Sequence, residues 1–364
     1  MKKCALILAG GADLKFWPRS LQSLPKQFVC LFDNMTLFQK TFQIVSNNFD
    51  KEDIWVVVNS DYKDIVKEQI PEIEDKHIIC EPMSRHTAAA IGLAQAILMD
   101  KYPADTVMTI FPSDHYIQNQ GEFNIAIENA VQAAWELKGI ITIGVQPTRP
   151  EVQFGYIQYD EEQKDLDSKF FELGLRRSIN FAEKPDLGTA QRFIESGDFV
   201  WNSGILAVRN DVLNKSFEEF LNYHYEQFSS LRKYIKEDKS IFDEELLKLY
   251  KTLNKISIDY GILENASNVY VLEGTFGWTD LNDWDEVFRI VHKDARDNAV
   301  LGNIVLLDTK NSMVISDEKP VAVIGMEDII LINTEKAILL CKQGEANKVG
   351  NLVEYLKKNN ISIY

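Results

Sequence analysis

The chain lacks a long hydrophobic run, has few cysteines, and has too few basic residues to balance its acidic ones. Its 364 residues include 4 Cys, and 39 Lys and Arg stand against 55 Asp and Glu, for a formal net charge of -16. Binding to the phosphate backbone of a nucleic acid needs a basic face, so we expect no nucleic-acid partner. An acidic protein that binds a small polyanion must use local Lys or Arg, backbone amides, or a divalent cation held by carboxylates.

These absences also bear on location and redox chemistry. No stretch is long and apolar enough to span a bilayer, and Met1-Lys2-Lys3 leads straight into a strand-like run without a cleavable signal. We therefore expect a cytoplasmic protein with no membrane partner. Cys4, Cys30, Cys80 and Cys341 lack the paired spacing of zinc sites or disulfide frameworks, so we assign them no function.

The first half of the chain alternates strand-like and helix-like segments. Strands are predicted at residues 54–58, 77–80, 106–111 and 140–144, and helices at 36–49, 61–70 and 121–137. This alternation predicts an α/β fold with a parallel, doubly wound sheet, whose ligands lie at the carboxyl ends of the strands. Gly10-Gly11, Glu81-Pro82 and residues 112–115 follow such ends, so we expect them to line one crevice.

Residues 6–26 read LILAGGADLKFWPRSLQSLPK, a buried strand that ends at a glycine pair. Because Gly10 and Gly11 lack Cβ, successive backbone N–H groups there can converge on an anion. Lys15, Arg19 and Lys26 follow on a loop and suit several phosphate oxygens. On its own, the pattern favours a plain strand, turn and solvated basic loop, since its spacing matches neither common glycine-rich phosphate motif.

Two further segments of the first half bear on anion chemistry. In EPMSRHTAAAI, either Ser84 or His86-Thr87 begins an Ala-rich helix whose first turn suits an anion or a ring. In FPSDH, Asp114 ends a β-rich run. Beside a triphosphate this carboxylate needs a cation, and Mg²⁺ suits both oxygen ligands and phosphates. A role as a helix N-cap is an equally good interpretation of Asp114.

Beyond residue 147 the pattern predicts hairpin strands, then helices. Gly155 permits close backbone approach, Glu183 and Asn202 offer the hydrogen bonds that sugar hydroxyls need, and Lys184 offers charge to a phosphate. For each residue alone, a surface or turn position is the better interpretation. Residues 210–250 predict a solvated pair of amphipathic helices. Asp280, in FGWTDLNDW, is either a helix N-cap or one of a pair around a metal.

The last part of the chain is a different module. Short β-rich runs at residues 303–308, 312–316, 321–324, 329–333 and 337–341 recur at near-regular spacing. They predict a small all-β unit that a helix closes at 345–358. Such a unit more often packs against a domain or subunit than performs chemistry, so we expect a homodimer.

Together these motifs resemble the mannose-1-phosphate guanylyltransferases, a family of sugar-nucleotide pyrophosphorylases. The resemblance implies a Rossmann-like nucleotidyltransferase domain with a mostly parallel sheet at 1–295 and a left-handed β-helix-like domain at 296–364. It implies that mannose 1-phosphate attacks the α-phosphorus of GTP with Mg²⁺, releasing pyrophosphate and GDP-mannose. The substrate phosphate is itself the nucleophile, so alignment and charge neutralisation suffice for catalysis.

The resemblance also implies roles for individual residues. Asp114 and Asp280 are expected to bind the metal, and the expected catalytic residues are Lys15, Lys26 and Asp114. Mannose 1-phosphate is expected at Gly155, Glu183, Lys184 and Asn202. The expected nucleotide-binding residues are Ala9, Gly10, Gly11, Lys26, Arg85, His86, Thr87 and Ser113.

The chain departs from the family pattern at several of these positions. The family's G-G-x-G-T-R is Gly10-Gly11-Ala12-Asp13-Leu14-Lys15 here, His86 and Ala89 replace the usual Asn and Pro, and Asn282 replaces the usual Gly. Losing one charge-assisted hydrogen bond costs about 1.5–3 kcal/mol, or about ten- to a hundredfold in rate. Asp13 about 5 Å from a phosphate charge would add roughly 3 kcal/mol of repulsion.

Three hypotheses follow. The chain is an active guanylyltransferase, which we favour; a sister enzyme for another nucleoside triphosphate or sugar phosphate; or a sugar-nucleotide-binding subunit whose phosphate loop has decayed.

Overall fold

The computed structural model describes residues 1–11, 13–161 and 168–361. They form two compact units, each assembled from several stretches of the chain. The first unit comprises Met1–Gly10, Thr41–Ser113 and Ile117–Trp278, and the second comprises Gly11–Lys40, Asp114–Tyr116 and Thr279–Tyr364. The domain boundary predicted at residue 295 falls within the second unit and stays a prediction.

The described residues form strands and helices with the following bounds. The strands are β1 (Lys3–Leu8), β2 (Ile54–Asn59), β3 (Ile78–Glu81), β4 (Val107–Pro112), β5 (His115–Ile117), β6 (Ile140–Val145), β7 (Gly155–Tyr159), β8 (Leu175–Glu183), β9 (Phe199–Arg209), β10 (Val269–Glu273), β11 (Trp278–Asp280), β12 (Ala299–Leu301), β13 (Ile304–Leu307), β14 (Met313–Ser316), β15 (Val321–Ile324), β16 (Ile329–Asn333) and β17 (Ile338–Lys342). The α-helices are α1 (Leu37–Val45), α2 (Lys63–Gln69), α3 (His86–Leu98), α4 (Gln120–Leu137), α5 (Ser168–Glu172), α6 (Leu187–Ser196), α7 (Asn210–Phe220), α8 (Asn222–Leu231), α9 (Lys239–Thr252), α10 (Trp284–Ile290) and α11 (Val349–Lys358).

The first unit is built on a nine-stranded sheet in the order β3-β2-β1-β4-β9-β6-β10-β8-β7. All its strands run in one direction except β8 and β9. Helices cover both faces: Leu6 and Ile110 share a core with α3, whereas the Phe111 ring lies 6.3 Å from that of Phe123 on α4. The predicted α/β fold with a mostly parallel sheet is confirmed.

Residues 210–250 correct one prediction. Instead of a solvated pair of helices they form three, α7, α8 and α9, and each contributes buried side chains to the core of the first unit. The reason lies in the small residues of α3. A Cβ on Gly92 would meet the Phe228 ring at 2.5 Å, so this ring packs directly on the α3 backbone. Phe217, Phe228 and Tyr250 are therefore core residues, whereas Tyr223 is exposed.

The second unit combines the loop after the glycine pair with the C-terminal module. Trp284, at the start of α10, is fully buried, its indole donates to the Trp17 carbonyl at 3.1 Å, and its ring meets that of Phe16 at 5.1 Å. These contacts fix the segment that carries Asp280 against the loop that carries Lys26.

The C-terminal module consists of short, mostly parallel strands. β12, β14, β16 and β17 form one sheet and β13 pairs with β15, with Val314, Val323 and Ile329 in a common interior. α11 buries Val349, Val353 and Leu356, because its apolar residues recur at helical spacing. The predicted β-helix-like domain with a closing helix is confirmed. Within the described ranges, we find no helix with the length and hydrophobicity needed to cross a membrane.

Candidate active site

The predicted strand ends of the first unit come together as expected. β1 pairs in parallel with β2 and β4, and β2 with β3, so their carboxyl ends share one edge. Ala9 donates its backbone N–H to the Val57 carbonyl at 2.8 Å, and Ser113 donates to that of Leu8 at 3.2 Å. A Cβ on Gly10 would lie 2.9 Å from the Glu81 carboxylate, so glycine lets the two approach.

Glu81 is a candidate that the sequence placed in the crevice without assigning it a role. Its side chain is buried, and the Tyr250 hydroxyl donates to it at 3.1 Å. Burial raises the pKa of Glu81 to about 7, against the lowering effect of the Tyr250 hydrogen bond. The position of Glu81 at the end of a parallel strand is the sequence signal that points to it. Its hydrogen-bond partner Tyr250 is 169 positions away in sequence, so the sequence does not reveal this contact.

The start of α3 is partly occupied by other parts of the first unit. The helix begins at His86, as one of the two predicted starts had it, and this exposed residue has a left-handed φ of 64°. The Thr87 hydroxyl accepts from the Ile258 N–H at 2.9 Å, and the Arg85 Nε donates to the Tyr250 carbonyl at 2.7 Å. Arg85 and Thr87 are therefore held in place, and His86 is the residue of this group that faces outward.

In the second unit, Lys26 lies between the two predicted metal ligands. Its ammonium is 2.7 Å from Asp114 Oδ2 and 3.5 Å from Asp280 Oδ1, and it also donates to the Leu281 carbonyl at 3.3 Å. Asp114 and Asp280 are 166 positions apart in the chain, and no spacing rule pairs them. The structure nevertheless places an oxygen of each carboxylate within 3.5 Å of the Lys26 ammonium.

The charges in this cluster support one another. Burial would lower the pKa of the Lys26 ammonium, but the charges of Asp114 and Asp280 raise it above its ordinary value. Burial would likewise raise the pKa of Asp114, but the Lys26 charge, with a contribution from His115, lowers it to about 2. Lys26 and Asp114 are therefore both charged at neutral pH.

The simpler interpretation of both acids as helix caps is wrong. The N-cap of α4 is Asn119, whose side chain accepts from the Glu122 N–H, and the N-cap of α10 is Asp283, which accepts from the Glu286 N–H. Neither Asp114 nor Asp280 caps a helix, and both contact Lys26, with which they form the Lys26 cluster.

The donors of this cluster fit a divalent cation of the magnesium type. Carboxylate oxygens are the hard ligands that Mg²⁺ takes, and it is usually held by one or two carboxylates together with substrate phosphates and waters. Two carboxylates that already converge on the Lys26 ammonium meet that requirement. Among the described residues no group of three or more His, Cys, Asp or Glu side chains is placed to hold a metal ion by itself.

The loop that departs from the family pattern, residues 10–15, makes contacts within the second unit through Gly11, Asp13 and Lys15. Asp13 accepts from the Lys15 backbone N–H at 2.9 Å and lies 3.8 Å from the Lys15 ammonium, and Gln27 donates to the Gly11 carbonyl at 2.7 Å. Asp13 is therefore held by contacts with Lys15. Arg19 binds the carbonyls of Cys30 and Leu31 and the Asp317 carboxylate, so its guanidinium is engaged within the second unit. Ala12 lies outside the described residues.

The four residues expected at the sugar phosphate form one group in the first unit. Gly155 pairs with Glu183 across β7 and β8, and a Cβ on Gly155 would lie 2.7 Å from the Glu183 carboxylate and 3.5 Å from Asn202 Cβ. Lys184, with a left-handed φ of 49°, lies 3.3 Å from Glu183. Glycine at 155 thus leaves room for the polar side chains around it.

Asp259 belongs to this group and was missed from the sequence. Asn202 Nδ2 donates to Asp259 at 2.8 Å, while Asn202 Oδ1 accepts from the Thr142 hydroxyl at 2.9 Å. Burial raises the pKa of Asp259 to about 6, and the nearby Glu183 charge adds to this. Asp259 lies in the sequence SIDYGILE (residues 257–264), and no local pattern links its acid to Asn202.

The chain is similar to known proteins along most of its length. A family model described as "Nucleotidyl transferase" matches residues 4–297, and one described as "MannoseP isomerase/GMP-like beta-helix domain" matches residues 302–356. A mannose-1-phosphate guanylyltransferase of Escherichia coli is 31% identical over 96% of this chain and 75% of its own length. Another, of Sinorhizobium fredii, is 32% identical over 96% of this chain and 67% of its own length.

A solved structure shares nearly the whole fold. It is described as a "mannose-1-phosphate geranyltransferase" from Thermus thermophilus, and it matches with a TM-score of 0.86 and 29% identity over 98% of this chain and 100% of that one.

The family match over residues 4–297 shows that the chain is a nucleotidyl transferase. Enzymes of this class generally use a divalent metal. Within that class, the chain belongs to the family of the mannose-1-phosphate guanylyltransferases, as its motifs predicted.

Proposed function

We propose that this protein transfers GMP from GTP to mannose 1-phosphate and releases GDP-mannose and pyrophosphate. A phosphate oxygen of mannose 1-phosphate attacks the α-phosphorus of GTP, and the bond between that phosphorus and the oxygen of the departing pyrophosphate breaks. The observation that carries the proposal is the convergence of Asp114 and Asp280 on Lys26, in a chain whose relatives are named mannose-1-phosphate guanylyltransferase.

The second unit supplies the charge neutralisation. Asp114 and Asp280 would hold Mg²⁺, which supplies Lewis-acid stabilisation of phosphate charge when bound. Lys26 holds the two carboxylates near each other despite their mutual repulsion, and with Lys15 it adds positive charge for the triphosphate. Gly11 adds exposed backbone beside them.

The first unit supplies binding and alignment. The backbone of Ala9, Gly10 and Ser113 would approach the triphosphate, and Arg85, His86 and Thr87 at the start of α3 would contact the nucleotide. Gly155, Glu183, Lys184 and Asn202 would hold mannose 1-phosphate. Fixed alignment of this kind can supply about 7–11 kcal/mol of a bimolecular barrier.

Two statements about the whole protein belong to the same proposal. The protein acts in the cytoplasm, where nucleoside triphosphates and sugar phosphates are available. It acts as a homodimer, a proposal supported by exposed apolar side chains on the paired strands β13 and β15, namely Val305, Leu307 and Ile324.

The test is pyrophosphate release by the wild-type protein with GTP, ATP, UTP or dTTP, each paired with mannose 1-phosphate or glucose 1-phosphate. The proposal expects GTP with mannose 1-phosphate to give the highest kcat/KM. Preference for another pair would favour a sister enzyme, for which His86 in place of the usual Asn is the motivating observation. No turnover with any pair, together with GDP-mannose binding, would favour a binding subunit.

A further inference from the structure

Asn282 bridges the cation site and the altered loop. Its Nδ2 donates to Asp280 Oδ2 at 3.0 Å, and its Oδ1 accepts from the Lys15 ammonium at 3.3 Å. The other oxygen of Asp280 faces Lys26 at 3.5 Å. Each carboxylate oxygen of Asp280 thus has a different partner, and the two together fix the rotation of the carboxylate.

The orientation of the Asn282 amide follows from chemistry. An ammonium can only donate and an ionised carboxylate can only accept, so the amide oxygen must face Lys15 and the amide nitrogen must face Asp280. A flipped amide would set donor against donor and acceptor against acceptor. Glycine, the residue that the family resemblance expects at position 282, has neither group.

The contacts continue through the loop and close into a ring. Lys15 donates its backbone N–H to Asp13 at 2.9 Å, and the Asp13 carbonyl accepts from the Lys26 backbone N–H at 3.4 Å. Lys26 then returns to Asp280. Three residues that depart from the family pattern, Asp13, Lys15 and Asn282, are therefore consecutive members of one hydrogen-bonded ring.

We propose that Asn282 is a positioning residue that orients Asp280 for a divalent cation, and that the Lys15 ammonium holds the Asn282 amide in the orientation this requires. The inference rests on the proposed function, since it takes Asp280 as a ligand of the cation. Lys15 acts on the cation site through Asn282, so the loop substitutions form a working unit rather than a decayed one. Groups that orient metal ligands typically change metal affinity about 10–100-fold when they are removed.

The test measures Mn²⁺ affinity of the full-length protein without substrates, from the free-ion signal in electron paramagnetic resonance. Asn282→Gly and Lys15→Met should each weaken Mn²⁺ binding about tenfold. The double variant should bind no more weakly than Asn282→Gly alone, because Lys15 acts through the amide. Far-ultraviolet circular dichroism checks that each variant is folded. Lys15→Met removes the hydrogen bond to the Asn282 oxygen and keeps the Asn282 side chain itself.

Trp284→Phe is the matched control. It removes the hydrogen bond to the Trp17 carbonyl and loosens the same segment without changing charge, so it should leave Mn²⁺ affinity within about twofold, well below the effect expected of a group that orients a ligand. Equal weakening by Trp284→Phe and Asn282→Gly, or full additivity of Lys15→Met with Asn282→Gly, would overturn the positioning role.

Asp280→Asn separates this inference from the proposed function. If Asp280→Asn loses Mn²⁺ while Asn282→Gly binds it like the wild type, the positioning role fails and the cation site stands. If Asp280→Asn binds Mn²⁺ like the wild type, the cation site itself fails, and the positioning role fails with it.

Discussion

At two places in this protein, acidic side chains lie close together beside a polar or charged partner. Lys26 is buried between two carboxylates, and Glu183 and Asp259 share the surroundings of Asn202. In the first group the Lys26 ammonium offsets the repulsion between two carboxylates, and in the second Asn202 donates a hydrogen bond to Asp259, whose pKa the Glu183 charge helps to raise. Such groups suit phosphate and sugar ligands, because these ligands bring charge or hydrogen bonds that complete them.

Replacing Lys184 tests the sugar-phosphate group. Lys184→Ala should raise KM for mannose 1-phosphate about ten- to a hundredfold, the size of one charge-assisted contact, and leave KM for GTP nearly unchanged. Steady-state kinetics with each substrate varied in turn measure both values. An equal rise in both KM values would instead indicate a structural role for Lys184.

Replacing Glu81 tests its buried carboxyl group. Its folded-state pKa of about 7 lies above the ordinary value of 4.5, so the folded state holds the proton longer than the unfolded state and stability falls as pH rises between these values. A shift of this size corresponds to about 3 kcal/mol. Glu81→Gln cannot ionise, so its free energy of unfolding relative to the wild type should improve by about 3 kcal/mol from pH 4.5 to 8.

Urea unfolding at a series of pH values measures this difference. Tyr250→Phe serves as the comparison, because it removes the hydrogen bond that lowers the Glu81 pKa and should extend the loss of stability to higher pH. A difference between wild type and Glu81→Gln that does not change with pH would show that the pKa of Glu81 is not raised by folding.

At the scale of elements, the sequence predicts what depends on local pattern. The apolar runs of β1, β3 and β4 and their abrupt ends placed Gly10, Glu81 and Ser113 at one edge, because parallel strands in register share an edge. The ring through Asp13, Lys15 and Asn282 joins residues 267 positions apart, and the link from Asn202 to Asp259 spans 57. Such contacts depend on tertiary packing, which periodicity does not encode.

The packing of α8 offers a test at this scale. Phe228 is buried against Gly92 of α3, so Phe228→Ala should lower the free energy of unfolding by about 3–5 kcal/mol, the usual cost of deleting a buried aromatic ring. Chemical denaturation measures the change, with the exposed Tyr223→Ala on the same helix as a control that should cost less than about 1 kcal/mol. Similar small losses in both variants would restore the solvated-helix interpretation.

At the scale of the whole molecule, the two compact units have separate tasks in the proposal. The first binds and aligns substrates, and the second carries the cation cluster and the β-helix-like module. Sequence patterns identified both folds, because strand–helix alternation and regularly spaced short strands are each distinctive. The membership of residues 11–40 in the second unit has no counterpart in local sequence.

The proposed homodimer is testable by sedimentation velocity. We expect the wild-type protein to sediment with twice the mass of the chain. Val305→Glu with Ile324→Glu places charge on the exposed apolar face of β13 and β15 and should shift the protein to the monomer, because burying unpaired charge in an interface is costly. A monomeric wild type, or an unchanged dimer in the double variant, would contradict this use of the face.

The proposed cation site at Asp114 and Asp280 is tested by mannose 1-phosphate-dependent pyrophosphate release from GTP as Mg²⁺ is titrated, in the wild type and in Asp280→Asn. An amide cannot neutralise the charge of the cation as a carboxylate does. We therefore predict a loss of about 2 kcal/mol or more in transition-state stabilisation, at least about thirtyfold in kcat/KM, with partial recovery at high Mg²⁺. Wild-type kcat/KM and an unchanged Mg²⁺ requirement in Asp280→Asn would show that Asp280 does not bind the cation.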